Sequence, residues 1–214
     1  MASTAISEVR ICNMAMSMIG ASSKIETITE DTAEAQECNL WYTYSRRQAL
    51  AATDWSFARK RLSLATHTDD PPSGIWAYRY QYPSDCVVLR KMQNPSGTAA
   101  IACLNDNLVA EDAVPFEVET GSSGTDLSIV TDLDEAIAVY TFDLTEVTLF
   151  SEFFVSMLAA ALAANTAFTL TGQSELEDKM AQRFQQLSGA ARASDANEQV
   201  GRPPRDVDYI RARA

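Results

Sequence analysis

The chain has 214 residues, 46% hydrophobic and 21% charged, a balance ordinary for a soluble globular fold and long enough for one compact domain with a smaller subdomain. Its formal net charge of −12 argues against non-specific affinity of the body for nucleic acid or an anionic membrane surface. The charge is uneven: 15 Asp or Glu and no Lys or Arg lie between Lys91 and Lys179, whereas the last fourteen residues hold four arginines against Asp206 and Asp208. The acidic stretch reads first as a solvated surface, and second as a wall to which a polyanion does not adhere.

Met1 to Arg10 lacks an apolar signal core, so export is not expected. A first helix is predicted from about Thr4 to Ile19, because Ile6, Val9, Cys12, Met16 and Ile19 recur at helical steps and Gly20 is placed to stop it. Met14, Met16 and Met18 read as core filler before they read as a binding surface. Asp31 and Glu34 make an N-cap and N3 pair for a second helix, ending near Thr53. Its stripes Trp41, Tyr44, Ala51, Trp55 and Cys38, Tyr42, Ala49, Ala52 predict cover on more than one side. The triplet Arg59-Lys60-Arg61 follows, read as a solvated helix end or ion-pair partner ahead of a phosphate contact.

The texture then changes. Asp69-Asp70-Pro71-Pro72-Ser73-Gly74 is a turn-rich break. β-like runs follow at Trp76–Tyr82, Cys86–Met92, Ala99–Leu104, Pro115–Glu119, Leu127–Val130 and Ala136–Phe142, with turn signals at Asn94–Gly97 and Gly121–Gly124. A long helix is predicted from Glu146 to about Leu170, ended by Gly172. Phe153 to Ser174 carries no charge and is long enough to span a bilayer. Its Ala, Ser, Asn and Thr content, without flanking Lys or Arg, reads instead as a helix buried among others, so no membrane partner is expected. Ser174 and Glu177 open a last helix with a buried stripe of Leu176, Met180, Phe184 and Leu187. Gly201-Arg202-Pro203-Pro204 cannot continue it. The predicted fold is α+β and mainly α: an antiparallel bundle of about four helices (1–65 and 146–197), an inserted β subdomain (66–145) and an extended C-terminal arm (198–214).

Chemistry is sparse. The chain has no G-x-S-x-G, G-x-x-x-x-G-K or G-x-G-x-x-G, and a histidine triad would have to use His67, beside a turn. Cys12, Cys38, Cys86 and Cys103 form no C-x-x-C pair, so neither a zinc site nor any other metal or cofactor is expected. Reduced cysteines on helical faces act as small hydrophobes and fit assembly in a reducing compartment. Asp132 and Asp134 lack the surrounding ligands of a calcium loop. A cell-wall hydrolase with two carboxylates facing one cleft is the remaining enzyme reading; otherwise no enzyme is expected. Trp55 and Phe57 are spaced for core packing, not for stacking on bases.

Several segments, in order, resemble the head–tail adaptor family of tailed bacteriophages, the tail tubular protein A type. They are Cys12-Asn13-Met14-Ala15-Met16-Ser17-Met18-Ile19-Gly20, Ile25–Glu30, Glu34-Ala35, Cys38, Tyr44, Arg46-Arg47, Leu50 and Trp55–Leu62. Tyr82-Pro83-Ser84-Asp85-Cys86 marks the step into the β part, followed by Tyr140, Phe153 or Phe154, Leu158–Ala163 and Ala190–Glu198. Gln93–Asp134 matches least. The resemblance implies a structural virion protein at the head–tail junction, assembled in the host cytoplasm into a ring of about twelve copies. The implied partners are the portal protein above and the tail nozzle or tail tube protein below, with DNA passing through the bore without specific binding. A stopper or tail-completion protein of the same neck is the alternative. The arm residues Arg202, Arg205, Tyr209, Ile210, Arg211 and Arg213 are then expected to dock the portal or a neighbouring subunit, since Tyr and Arg are favoured anchors.

Overall fold

A computed structural model describes residues 6–21, 23–94 and 114–197. They form an α+β fold of four α-helices and two three-stranded antiparallel sheets. Ser7 opens α1 (Glu8–Ile19) by accepting the Arg10 N–H. Gly20 closes it in the left-handed region, and its N–H returns to the Met16 and Ser17 carbonyls. Helix α2 (Ala33–Ala52) begins one residue later than its acidic signal suggests. Thr32 is the last extended residue and takes the Ala35 N–H at 3.3 Å, leaving Asp31 to accept from the Gln36 side chain.

The long third helix also starts late. Glu146 caps one 3-10 turn at Val147–Leu149, and Ser151 caps α3 (Glu152–Thr171) by accepting the Phe154 N–H. Gly172 ends α3 in the left-handed region, and α4 (Ser174–Asn197) follows after one further residue. Helix α3 is the hub, packed against α1, α2 and α4. Its lack of charge is explained by its surroundings: Phe154, Leu158 and Leu162 are inaccessible, and 67% of its most apolar window is buried. Trp55 meets Phe154 edge to face at 5.2 Å, and the Asn165 amide reaches Ser45 at 2.9 Å, so α2 and α3 run antiparallel.

Five expected strands are found as β2 (Tyr78–Gln81), β3 (Cys86–Gln93), β4 (Phe116–Thr120), β5 (Leu127–Thr131) and β6 (Ile137–Phe142). The expected run Ala99–Leu104 lies outside the described residues. One strand was not expected: the basic triplet opens β1 (Arg59–Ser63) instead of ending a helix. The Trp55 indole donates to the Ala49 carbonyl at 3.0 Å and folds the chain over the end of α2. A 3-10 turn at Ser56–Ala58 then delivers Arg59 opposite Thr141 on β6.

The first sheet has the order β1-β6-β3, the second β2-β5-β4. β6 is covered on both faces. Ala138 and Tyr140 join Tyr80, Ile129, Cys86 and Met92 in a core between the sheets. Val139 and Thr141 alternate with them and are equally buried on the other face. Phe142 and Val87 reach the helical core. The chain leaving β1 carries on to the second sheet, where Thr66 bridges Tyr80 and the Gln81 N–H donates to Ala65.

Candidate functional site

The six arm residues named above (Arg202, Arg205, Tyr209, Ile210, Arg211 and Arg213) lie outside the described residues, as does Cys103. Within the described residues, Arg59 and Lys60 of the basic triplet join Arg46, Arg90, Asp85 and Asp143 at the joint between the helices and the first sheet.

Arg46 on α2 is 7% exposed and meets Asp143, just past β6, at 3.0 Å. Arg90 on β3 donates from Nε to the Thr141 hydroxyl at 3.0 Å, and from Nη2 to the carbonyls of Leu50, Ala51 and Thr53 at 3.2, 3.1 and 2.7 Å. These belong to the last turn of α2, where carbonyls have no helical partner and the helix dipole is negative, so a guanidinium satisfies both needs. Lys60 bonds Asp85 at 2.6 Å and stands over the Phe142 ring at 4.9 Å. Asp85 also accepts from the Tyr140 hydroxyl at 2.9 Å. Partial burial would raise the Asp85 carboxyl, but the bonds from Lys60 and Tyr140 outweigh it and hold the group below the usual carboxylate range. Burial, with Asp85 beside it, pushes the Tyr140 phenol up. Arg59 closes on Asp54 through two nitrogens, at 3.2 and 2.8 Å. The triplet is thus engaged by local carboxylates at Arg59 and Lys60.

Sequence reasoning missed the roles of Arg46, Arg90, Asp85 and Asp143. Arg46 and Asp85 stood inside the resembling motifs without a partner being assigned. The available signal was Arg90 directly after the apolar run Cys86–Leu89 and pointing to the opposite face from its exposed neighbour Lys91, since a partly buried charge in a strand calls for a partner.

The remaining candidates are turn fasteners. His67 has a side chain 7% exposed. Its Nδ1 accepts the Asp69 N–H at 3.0 Å, which places the proton on Nε2, and Nε2 donates to Asp126 at 2.6 Å. Asp126 also accepts from Ser123, and Asp69 accepts from the Ser122 N–H and hydroxyl. A nucleophilic triad needs its serine on the histidine; here the serines meet the aspartates, and both ring nitrogens are occupied. The group ties the turn at 121–126 to the segment leading into β2. Hydrogen bonds from Ser122 and Ser123 respectively hold Asp69 and Asp126 below the usual range. Asp132 accepts the Ala77 N–H and Asp134 the Glu135 N–H, as turn carboxylates do. Among the described residues no cluster of three His, Cys, Asp or Glu is placed to hold a metal.

Cys12, Cys38 and Cys86 are free and buried. The Cys38 thiol hydrogen-bonded to it, with burial and Glu8, pushes Cys12 well above the ordinary thiol range, so it packs as a neutral group between α1 and α2. Trp55 and Phe57 lie in an aromatic cluster with Phe150 and Phe154. The exposed large apolar side chains include Leu40 and Tyr44 on α2, Phe153 and Phe168 on α3, and Ile75. No family model matches the chain, and no curated protein does.

Proposed function

We propose that this chain is a structural subunit of the bacteriophage neck, a ring adaptor between the capsid portal and the tail. Its bore passes DNA, and its lower face receives the tail nozzle or tail tube protein. The observation that carries this reading is where the resembling motifs fall. Trp55–Leu62 makes the turn from α2 into β1, Tyr82–Cys86 makes the turn into β3, and Arg46 closes on Asp143 across the same joint. These residues are spent on fixing two parts relative to each other, which suits a piece of a scaffold. The finer plan belongs to the same proposal: a body of 1–65 and 146–197 that is helical apart from β1, an inserted β subdomain of 66–145 that pairs with β1 through β6, and a docking arm of 198–214. The surface carboxylates between Lys91 and Lys179, a stretch without Lys or Arg, suit a channel wall that repels a polyanion, while α3 within it, uncharged past Glu152, is core. Closed rotational symmetry of about twelve copies is the assembly that the resemblance implies.

Deleting Gly201–Ala214 should leave the helical body folded, with unchanged circular dichroism and melting temperature, while weakening attachment to purified portal. A truncated protein that saturates portal complexes with the affinity of the full chain would remove the arm from the proposal. Imaging labelled particles tests the position, and label in a different layer of the neck would replace the adaptor with a stopper or tail-completion role.

A further inference from the structure

We infer that the exposed apolar face of α2 is a docking site for the C-terminal segment of a second copy of this chain, residues 202–211. The face is a row at helical spacing. Leu40 is 67% exposed, Tyr44 is 56% exposed, and the half-buried Trp41 leans its ring edge on Tyr44 at 5.7 Å. Trp41 is itself held, its indole donating to Glu37 at 3.1 Å, so the row is a preformed surface. Large aromatic and aliphatic side chains left open on a helix are costly unless something covers them.

The chemistry around the row selects its occupant. Glu37 and Glu34 lie one and two turns N-terminal to Trp41 on α2, and neither enters an ion pair among the described residues. A partner must therefore bring cations followed by apolar groups. Residues 202–211 read Arg-Pro-Pro-Arg-Asp-Val-Asp-Tyr-Ile-Arg, with Arg202 and Arg205 ahead of Tyr209 and Ile210. From Arg205 to Tyr209 an extended chain covers about 13 Å. From Glu34 to Tyr44 the helix covers about 15 Å. The two patterns match in order and in length.

Reach favours a second copy. Helices α2 and α3 are antiparallel and α4 doubles back along α3, so α4 ends at the opposite end of the body from the α2 carboxylates. The 24 residues of α4 measure about 36 Å. Arg205, eight residues past Asn197, reaches about 28 Å at most, which is short of its own Glu34. A contact from one end of a subunit to the other end of the next is heterologous, the kind of contact that builds a ring when the rotation closes and a filament when it does not. The inference rests on the ring reading only in requiring copies side by side.

The test places a photoreactive phenylalanine at Tyr209 in the full chain, mixes light and nitrogen-15-labelled protein, and maps cross-links by mass spectrometry, alone and with portal. Cross-links from 209 to the peptide bearing Leu40–Tyr44, joining light to heavy chains, are expected. Leu40→Ser with Tyr44→Ser should cut that yield about tenfold, and circular dichroism of this double variant checks that it remains folded. Cross-links within one chain, cross-links to another surface, or none between copies at saturating portal would overturn the inference. Copies that assemble on portal through another surface leave the adaptor reading standing. A chain that never joins portal fails that reading instead.

Discussion

The sheet β1-β6-β3 is fastened to the helices by Arg46–Asp143 and by Arg90 on the end of α2, and it adds Phe142 and Val87 to the helical core. The sheet β2-β5-β4 adds no residue to that core. Two of its buried side chains, Tyr80 and Ile129, pack on the first sheet, and its turns are tied by the group of Asp69, Ser122, Ser123 and Asp126 around His67. Two sheets of equal strand number are therefore different mechanical objects. The first belongs to the cooperative unit of the helices, while the second is an outer layer that opens at lower cost. In a ring subunit, the first would carry load and the second would be free to adapt to a neighbour.

The largest expected effect tests the unity of helices and first sheet. Phe154 is inaccessible and touches Trp55, Phe57 and Phe150 at 5.2, 5.3 and 4.6 Å between ring centroids. Phe154→Ala should cost about 3–5 kcal/mol in urea unfolding. Helical circular dichroism and the exchange protection of β6 amides should be lost in one transition. If β6 stays protected after the helices melt, the first sheet is not part of their unit.

A middle-sized effect concerns the weld itself. Arg90→Met keeps most of the stem but leaves the Leu50, Ala51 and Thr53 carbonyls and the Thr141 hydroxyl without that guanidinium. A loss of about 2–3 kcal/mol is expected, since bonds to a charged group exceed neutral ones. Faster amide exchange should be confined to the end of α2 and to β3 and β6. Equal loosening of β4 and β5 would mean that the two sheets are held alike.

What the sequence revealed follows the same division. Periodicity located all four helices and five of the six described strands, because each depends on local pattern and on stops such as Gly20 and Gly172. It misplaced β1, because Arg-Lys-Arg-Leu-Ser looks solvated until β6, 78 residues away by the pair Arg61 and Val139, supplies the partner strand. It could not pair Arg46 with Asp143 or Arg90 with the α2 carbonyls, for those contacts exist only once the chain has closed on itself. The starts of α2 and α3 came one and six residues late because Thr32 and Ser151 take the cap in place of the nearby carboxylates, and α1 opens at Ser7 and not at Thr4, whereas α4 opens at Ser174 as expected.

The smallest effect is the acid response of the outer sheet. Asp69 and Asp126 are held below the ordinary carboxylate range, chiefly by Ser122 and Ser123 respectively, with His67 adding to both. A carboxyl whose folded value is depressed contributes stability that is fully present above its unfolded value, about 4, and is lost as pH falls through the folded one. The part of the tie that rests on these two carboxylates should therefore weaken only below the ordinary carboxylate range. Amide exchange in residues 121–131 should then rise before exchange in residues 137–142 does. Asp126→Asn should loosen the same turn already at neutral pH and remove most of its further response to acid. Because these carboxylates are exposed, water competes for them and the global midpoint should barely move. A shift of the whole unfolding transition would show that this tie, and not the core between the sheets, holds the outer layer in place.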